Sequence, residues 1–517
     1  MFTSEGKALE HDVELRRAVS AIIGAGYQID KDAFEFLKEA SLTVDPNSLV
    51  ESVLEDVDSL TDKPLWITHE LLEKNVAALR PSEQSAPISS GTSRNTFHPY
   101  AKEVDPDLEV LEDPTSEIST TGSLEDYIQY FRDRFRKLRR IMSRRMDVRD
   151  ACTITEASRA SANSKVKTVC LITEKRESRR GIFLQVEDLE ASATVFVPSD
   201  NREVFRKAQR LALDQIVCIC VARGRSDFFV VQDIIFPDVP LRKPNKAAIP
   251  VYAALLSDLH VGSKMFMEEA FRRFTLWLTG KAGDSRLRDI ASRIKYVVIA
   301  GDIVDGVGVY PKQMEELEIR DIYDQYEAAA KMIEGIPDYM EIIVIPGNHD
   351  ATRRALPQPA LPKEYAEPLY ESREIHSLGN PSSFRLHGVN MLVLHGRSLD
   401  DVISTLPEMS FQAPDGAMRF LLQCRHLAPF YGLRTLIAPE KADHLVVESV
   451  PDVFHAGHVH MMRYSSYRGT LIVNSGAWQK QTEYQKEMGH TPNPGIVPIV
   501  DLQNLRVLPV SFVPTAS

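Results

Sequence analysis

The chain carries Tyr-Val-Val-Ile-Ala-Gly-Asp-Ile-Val-Asp-Gly at 296–306, preceded by Val-Tyr-Ala-Ala-Leu-Leu-Ser-Asp-Leu-His at 251–260 and followed by Ile-Ile-Val-Ile-Pro-Gly-Asn-His-Asp at 342–350. In each segment a polar motif directly follows an apolar run. Short β-branched runs bounded by Gly or Pro predict buried strands. Each polar motif is therefore expected at the carboxyl end of a strand, where open α/β sheets bind their ligands.

The spacing of the three motifs favours parallel strands joined by crossover helices. Asp258 and Asp302 are 44 residues apart, and Asp302 and Asn348 are 46 apart. Either gap is long enough for one crossover helix. Carboxylate, imidazole and amide groups delivered to one sheet edge indicate a metal site.

Length and composition predict a soluble protein of several domains. The 517 residues are 43% hydrophobic and 26% charged, as in ordinary globular proteins. Five cysteines without a C-x-x-C pattern indicate a reducing, intracellular compartment, and we expect a cytoplasmic protein. No apolar run approaches the roughly 20 residues of a membrane span, and the N-terminus lacks a signal-peptide core. The net charge of −12 disfavours a generic DNA-coating protein, although basic residues cluster locally.

The first 122 residues are predicted to form two regions. Apolar residues recur at helical spacing up to about residue 80, which predicts a small α-helical N-terminal domain (1–80). This domain is either a protein-docking module or a solubilising appendage. From Pro81 to Gly122 the composition turns to Ser, Thr, Pro, Asp and Glu, which predicts a flexible acidic linker (81–122).

Residues 123–245 are predicted to form a basic helix and a small barrel. The helix starts at Ser123, with Asp126 in a capping-box position. It carries many arginines beside an apolar stripe formed by Tyr127, Phe131, Phe135, Leu138 and Met142. Its basic face either contacts phosphate or is a solvated surface over a packed stripe. Five strands with a helix between the third and fourth resemble an OB-fold β-barrel.

Two observations bear on whether this barrel binds DNA. Its first hairpin carries candidate phosphate contacts at Lys175, Arg176, Arg179 and Arg180. Its strand surfaces are expected to be poor in exposed aromatic pairs for base stacking, which favours a barrel that mainly faces protein.

Two more polar motifs follow predicted strands, at His395 and at Gly-His-Val-His, 457–460. The ordered set D-x-H, G-D-x-x-D-G, G-N-H-D, H-G and G-H-x-H resembles the calcineurin-like metallophosphoesterase superfamily. One such motif alone would carry little weight, but the five in order are specific. The resemblance implies that residues 246–517 form an α/β phosphoesterase domain, a β-sandwich flanked by helices, in a multidomain chain.

The resemblance also implies a dinuclear site with a bridging Asp302. One metal ion would be completed by Asp258, His260 and His460, and the other by Asn348, His395 and His458. The mixed nitrogen and oxygen donors suit Mn first, with Fe, Zn or Ni as other candidates for the two divalent metal ions. His349 would stabilise the transition state or protonate the leaving oxygen, with Asp350 orienting it, and Asp305 would hold the loop around Asp302. Histidines 376, 387, 426, 444, 455 and 490 lack a motif and are expected to be structural or surface residues.

A tether, an OB-like barrel and a C-terminal phosphoesterase domain together resemble the small subunits of archaeal D-family DNA polymerases, which are related to the B subunits of eukaryotic polymerases. Gly-Asp-Ile-Val-Asp-Gly-Val-Gly-Val-Tyr-Pro (301–311) and His-Gly-Arg-Ser-Leu-Asp-Asp (395–401) are closely similar to that family. The resemblance implies a 3′→5′ proofreading exonuclease for single-stranded 3′ ends of DNA, partnered by a large catalytic polymerase subunit and by other replisome proteins. A stand-alone metallophosphatase or phosphodiesterase and a non-catalytic assembly scaffold are the alternatives.

Overall fold

The computed structural model describes residues 97–513 except 162, 225–227 and 488. Before residue 97 it describes 31–41, 46–58, 66–79 and positions 15, 18, 19, 21, 22, 28 and 29. The chain divides into two compact units, Met1–Pro87 and Ile88–Ser517. Within the described part of the chain, no helix combines the length and the apolar character that a membrane crossing requires.

The first unit contains short amphipathic helices. They are α1 (Lys31–Ala40), α2 (Pro46–Asp58) and α3 (His69–Leu79), with β1 (Gln28–Ile29) parallel to β2 (Trp66–Ile67). One face of each helix is apolar at helical spacing, and Leu37, Val53 and Leu72 meet in a common core. Much of the predicted domain 1–80, including most positions before residue 28, lies outside the described residues.

The predicted flexible linker is wrong for its second half. Residues 97–122 contain a short 3-10 turn (Tyr100–Glu103), strand β3 (Leu108–Glu112) and a second 3-10 turn (Pro114–Glu117). Strand β3 pairs antiparallel with the strand Ser382–Leu386. The acidic residues that suggested disorder form specific contacts, because Glu109 pairs with Arg385 and Asp113 accepts hydrogen bonds from Thr115. Residues 80–96 lie outside the described residues.

The basic helix α4 (Leu124–Ser143) starts as predicted, with a complete capping box between Ser123 and Asp126. Its buried face carries Phe135, Leu138 and Met142 of the predicted stripe. In the first half of the helix, however, Tyr130 and Arg134 are buried in place of Tyr127 and Phe131. A short helix α5 (Ile154–Arg159) follows.

The predicted five-stranded barrel is confirmed. Its elements are β4 (Lys165–Ser178), β5 (Gly181–Glu187), β6 (Ser192–Pro198), α6 (Arg202–Gln209), β7 (Ile216–Arg223) and β8 (Phe229–Ile235). The strand order is β4-β5-β6-β8-β7, and the barrel closes because β4 pairs with both β5 and β7. Alternate aliphatic residues of these strands fill the interior, and α6 adds Val204 and Ala208 to it.

The remaining elements build two six-stranded sheets. In chain order they are β9 (Tyr252–Leu256), α7 (Glu268–Leu278), α8 (Ser285–Arg293), β10 (Ile294–Ala300), α9 (Gln313–Glu316), α10 (Ile322–Ile333), β11 (Glu341–Ile345), α11 (Lys363–Ser372), β12 (His376–Ser377), β13 (Ser382–Leu386), β14 (Val389–Leu394), α12 (Leu399–Thr405), α13 (Pro414–Cys424), β15 (Val453–Ala456), β16 (Arg463–Tyr467), β17 (Thr470–Asn474), α14 (Glu483–Glu487), β18 (Ile496–Asp501) and β19 (Val507–Ser511). One sheet has the order β12-β11-β10-β9-β18-β19 and the other β16-β17-β15-β14-β13-β3.

The two sheets pack face to face with helices outside them. Alternate residues of β10 explain the layers: Tyr296 and Val298 lie in the core between the sheets, whereas Val297 and Ile299 lie in the core under α7 and α10. On the second sheet, Phe454 packs under α12 and α13. The predicted sandwich flanked by helices is therefore present, and its parallel central strands end at a common edge.

Candidate metal centre

The polar motifs converge where five strands end. Strands β9, β10 and β11 of the first sheet end at 256, 300 and 345, and β14 and β15 of the second end at 394 and 456. Each is followed within a few residues by predicted ligands, namely Asp258, His260, Asp302, Asn348, His395, His458 and His460. Three overlapping groups of these side chains, together with His349, could each hold a metal ion.

The first group contains Asp258, His260 and His460. The Nε2 atoms of His260 and His460 lie 3.0 Å apart, and His460 Nε2 lies 3.4 Å from Asp258 Oδ1. All three side chains are buried. These residues are the ones predicted to complete one metal ion.

The second group contains Asp302, His395 and His458. His395 Nε2 lies 3.3 Å from Asp302 Oδ2 and 3.0 Å from Asn348 Oδ1, so the predicted amide ligand also reaches this group. Asp302 Oδ2 lies 3.8 Å from His260 Nε2 as well. Asp302 thus stands between the two groups, where a bridging carboxylate would stand.

The outer nitrogens of the histidines decide which atoms face the centre. His260 Nδ1 is 2.9 Å from Asp305 Oδ1, and His395 Nδ1 is 2.8 Å from the carbonyl of Ala300. Because a carboxylate and a carbonyl can only accept, both Nδ1 atoms carry a proton and both Nε2 atoms face inward. Asp305 therefore fixes the ring of His260, a predicted ligand, a role beyond the predicted support of the Asp302 loop.

The inward atoms fit a cation. His395 Nε2 faces the oxygen atoms of Asp302 and Asn348, which are both acceptors. Three acceptors at such distances repel one another unless a proton or a metal ion lies among them. Imidazole, carboxylate and amide donors together suit Mn, Fe, Zn or Ni.

The pKa values of the side chains around the centre also indicate a site for a cation. Burial would raise the pKa of Asp258, but the imidazole of His460 lowers it to about 2. The pKa of Asp302 is likewise held well below its usual range by His395, against the effect of burial. In turn, burial would lower the pKa of His395, but Asp302 raises it to about 9. The carboxylates thus stay ionised and attract positive charge to the centre.

The backbone at five of the predicted ligands has a conformation that is uncommon outside glycine. Asp258, His260, Asp302, His458 and His460 all have φ between 52° and 69°, in the left-handed region. Side chains other than glycine rarely adopt this conformation, and its cost of about 1–3 kcal/mol is typical of functional sites. The tight loops after the strands turn these side chains back toward the centre.

The two predicted catalytic residues lie in different surroundings. The ring of His349 packs edge-on against that of His260, with 4.6 Å between centroids, and its Nδ1 lies 2.6 Å from the carbonyl of Asp305. Asp350 instead accepts hydrogen bonds from the backbone N–H groups of Gly347 and Ile303. The predicted role of Asp350 in orienting His349 is therefore wrong, since the carbonyl of Asp305 does so.

Asp350 is buried, and its carboxyl interacts with that of Asp302. Burial, followed by the charge of Asp302, raises the pKa of Asp350 to about 6. Its backbone hydrogen bonds tie the loop after β10 to the loop after β11. Asp350 thus holds two ligand-bearing loops together.

The barrel hairpin differs from the prediction. Lys175 Nζ donates to the carbonyls of Gln209 and Leu211 at the end of α6, so it is not available for phosphate. Arg176 pairs with Glu174, while Arg179 and Arg180 are exposed at the turn. A helix C-terminus attracts a cation, which explains the position of Lys175.

The expectation of few surface aromatic pairs on the barrel was wrong. Phe183 and Phe196 have ring centroids 4.8 Å apart, and Phe196 and Phe228 are 5.9 Å apart. The three phenylalanines come from different strands and loops, so their proximity is not visible in the sequence.

Two residues at the centre were missed. Asp400 is the sixth residue of the His-Gly-Arg-Ser-Leu-Asp-Asp stretch, and its Oδ2 lies 3.2 Å from His458 Nε2. Its position just after His395 in the same stretch could have indicated it. Gln485 Nε2 lies 2.9 Å from His460 Nδ1, and no signal in the sequence points to it.

Several known proteins are similar to this chain. A family model for the B subunit of DNA polymerase alpha/epsilon matches residues 253–465. The DNA polymerase II small subunit of Methanothermobacter thermautotrophicus is 36% identical over 490 residues, covering 94% of this chain and 98% of that protein. The Archaeoglobus fulgidus protein of the same name is 41% identical over 76% of this chain and 78% of that protein.

Other similarities are partial. The Pyrococcus horikoshii DNA polymerase II small subunit is 42% identical over 75% of this chain, and the alignment spans only 62% of that longer protein. Among solved structures, an archaeal phosphodiesterase is 14% identical with a TM-score of 0.24, covering 50% of this chain and 99% of that one. A zinc complex of Vps29 from Entamoeba histolytica is 12% identical, also at 0.24, covering 51% of this chain and 100% of that one.

TM-scores this low carry no argument about the fold of this chain. The sequence relatives are stronger evidence than the solved structures, because their identities of 36% and 41% extend over most of this chain and most of each relative. The chain belongs to the family of DNA polymerase II small subunits.

Proposed function

We propose that this chain is a metal-dependent 3′→5′ exonuclease and acts as the proofreading subunit of a two-subunit DNA polymerase. The observation that carries the proposal is the position of Asp302 between two groups of inward-facing ligands. A carboxylate with two oxygens in that position suits a pair of divalent cations. A purely structural scaffold would have no use for four imidazoles facing buried carboxylates.

The residues would divide the work as follows. Asp258, His260 and His460 would hold one cation, Asn348, His395 and His458 the other, and Asp302 both. When bound, such a pair supplies Lewis-acid stabilisation and a hydroxide nucleophile at neutral pH. His349 has its Nδ1 proton engaged by the carbonyl of Asp305, which leaves Nε2 free to exchange a proton with the leaving oxygen.

The partner and substrate follow from the family. The relatives are named as small subunits of DNA polymerase II, so we propose a large polymerase subunit as partner and DNA 3′ ends as substrate. We propose that the five-stranded barrel is an OB-fold and lies beside the incoming DNA or the large subunit. We propose Mn²⁺ as the working cation, since the donors are mixed nitrogen and oxygen.

The domain division is also a proposal. Residues 1–80 would be a separate helical module, 123–245 the basic helix and barrel, and 246–517 the phosphoesterase domain. To this division we add that residues 97–122 belong to the phosphoesterase domain, because β3 is a strand of its second sheet.

The test is cleavage of a labelled primer with a mismatched 3′ terminus by the purified chain in Mn²⁺. Asp302→Asn should abolish cleavage, because an amide lacks the charge that offsets two cations. Asp289→Asn, on the exposed face of α8, is the matched control and should cleave like the wild type. If folded Asp302→Asn kept more than about a tenth of the wild-type rate, the two-cation proposal would be wrong. Cleavage of small phosphodiesters but never of DNA would favour a stand-alone phosphodiesterase.

A further inference from the structure

Two tyrosines form a stacked pair beside the metal centre. The rings of Tyr310 and Tyr484 have centroids 5.2 Å apart and planes inclined by 26°. Tyr310 lies in the loop after Asp305, and Tyr484 lies in α14, far along the chain. Tyr484 is 44% exposed, so this member of the pair is accessible to a ligand.

Both members of the pair adjoin residues of the centre. The Tyr310 ring lies 6.1 Å from the ring of His349. Tyr484 directly precedes Gln485, whose side-chain amide contacts His460 Nδ1 at 2.9 Å. The pair therefore borders the catalytic side of the centre, within one nucleotide's reach of it.

The loop that carries Tyr310 is held in place. The Tyr310 hydroxyl donates to Glu316 Oε2 at 2.9 Å. Gln313, at the start of α9, accepts from the N–H of Val309 and donates to the carbonyl of Asp305. Because these bonds fix the ring in advance, little conformational entropy would be lost when a ligand stacks on it.

A cationic group lies near the same edge. Arg354, which is exposed, donates to the carbonyl of Gly308 on the Tyr310 loop at 3.1 Å. Aromatic faces interspersed with guanidinium groups are the features that bind bases and phosphates of single strands.

We infer that the Tyr310–Tyr484 pair is a stacking site for an unpaired nucleobase next to the scissile phosphate of a DNA strand. This inference rests on the proposed exonuclease function and specifies its substrate as a frayed or mismatched 3′ end. A base that stacks on Tyr484 has left the stack of the duplex, so a paired terminus must first open. The site thus makes unpaired ends the preferred substrate.

Cleavage kinetics test the role of the base. The full chain and Tyr484→Ala are compared, in Mn²⁺, on a single-stranded oligonucleotide and on one whose last two nucleotides are abasic. Tyr484→Ala should lower kcat/KM on the normal oligonucleotide by roughly tenfold to a hundredfold and leave the abasic one within about twofold. Tyr484→Phe should keep most of the activity. Equal losses on both oligonucleotides would mean a structural role and would overturn the inference.

Tyr323→Ala is the matched control. Tyr323 is 49% exposed and stacks on Tyr365 at 5.5 Å and 28°, so it is a similar pair that links α10 and α11. Its removal should change neither oligonucleotide's kcat/KM. If Tyr323→Ala lowered kcat/KM as much as Tyr484→Ala, the effect would not be specific to the Tyr310–Tyr484 pair, and the inference would be overturned.

A binding measurement separates this inference from the exonuclease proposal. In the His349→Ala background with Mn²⁺, an oligonucleotide with 2-aminopurine at its 3′ end should bind roughly tenfold more weakly when Tyr484→Ala is added. Its fluorescence should also be quenched less. Unchanged affinity and quenching would overturn the stacking site. Failure of the wild type to cleave DNA would count against the exonuclease only, because the binding result stands without cleavage.

Discussion

Among single residues, the proposed catalytic group His349 is held by contacts with three neighbouring residues. Its Nδ1 is fixed by the carbonyl of Asp305, and its ring lies between those of His260 and Tyr310. Its Nε2 lies 3.9 Å from Asp302 Oδ2, at the border of the ligand groups. The residue is thus placed either to transfer a proton or to bind a cation.

We expect His349→Ala to keep both metal ions and to lose roughly 10²–10⁴-fold in kcat, because the proton-transfer group is removed and the ligands remain. Metal content of the purified variant, together with its cleavage rate, checks this. His376→Ala, whose ring pairs with Glu341, is the control and should change neither quantity. Loss of one metal equivalent would make His349 a ligand.

A second residue-scale prediction concerns the buried imidazole of His426. Burial and then the positive charge of Arg134 lower the pKa of His426 to about 4, although Asp443 accepts from it. The unfolded chain, with a pKa near 6.5, binds this proton first as pH falls. Stability should therefore be lost from about pH 6.5 down to about pH 4, by about 2 kcal/mol at pH 5.

Urea unfolding at pH 7 and pH 5 checks this prediction. In His426→Gln the difference in unfolding free energy between the two pH values should shrink by that amount relative to the wild type. Comparing the two proteins removes the contribution of the other histidines. An unchanged difference would show that His426 does not titrate in this range.

The convergence of the predicted ligand side chains followed from the sequence, but their supporting contacts did not. Five short motifs after five apolar runs predicted that Asp258, Asp302 and His395 would meet, since parallel strands end at one edge. Nothing local to the motifs indicates that Asp305 holds both His260 and His349, or that Asp350 binds backbone N–H groups. Those contacts depend on loop conformations with positive φ, which side-chain patterns do not encode.

Among the elements, helix α4 joins the barrel to the domain formed by the two six-stranded sheets. Phe135 and Met142 pack against barrel residues, while Tyr130 packs in the core under α13. Arg134 Nε donates to Asp443 Oδ2 at 2.7 Å, and both side chains are almost fully buried. The alternative of a helix whose cations serve packing is therefore favoured over phosphate contact for Arg134.

We expect Asp443→Asn to destabilise the chain by roughly 3 kcal/mol or more, because it leaves the buried Arg134 charge without a counter-ion. The free energy of unfolding in urea at pH 7 is the measurement. Glu269→Gln, which breaks an exposed pair with Arg272, is the control and should hardly move the unfolding midpoint. A similarly small effect for Asp443→Asn would mean that water reaches Arg134.

The elements also mark where sequence patterns stop being informative. The capping box of α4, the second half of its apolar stripe and the alternation of the barrel strands are local signals, and they were confirmed. The partner of Arg134 lies 309 residues away, and the partner of β3 is also distant. A five-residue acidic strand with such a partner has the same composition as a disordered linker.

For the whole molecule, the boundary between the two units matters more than the predicted linker. The second unit begins at Ile88 and includes β3. Removal of residues 1–87 should therefore leave a folded exonuclease that still binds the large subunit. Removal of 1–122 should lower Tm and solubility, because the edge of β13 is then uncovered.

Size-exclusion chromatography, thermal unfolding and co-purification with the large subunit compare the two truncations. Equal Tm and solubility would show that β3 adds nothing to the sheet. A soluble, active 88–517 fragment that no longer co-purifies would place polymerase binding in the first unit instead.

Strand β3 is synthesised long before the strand with which it pairs. Glu109 is synthesised 276 residues before its partner Arg385. At a translation rate of roughly 5–20 residues per second, β3 therefore remains unpaired for on the order of half a minute. The barrel emerges and can fold in that interval. We expect chains arrested before residue 382 to be cleaved by protease within 97–122, and full-length chains to be protected there. Protection in the arrested chains would mean that β3 finds another partner first. During the wait, the charges on Glu109 and Glu112 would discourage pairing with neighbouring nascent chains, so the acidity of this segment serves the chain before it is complete.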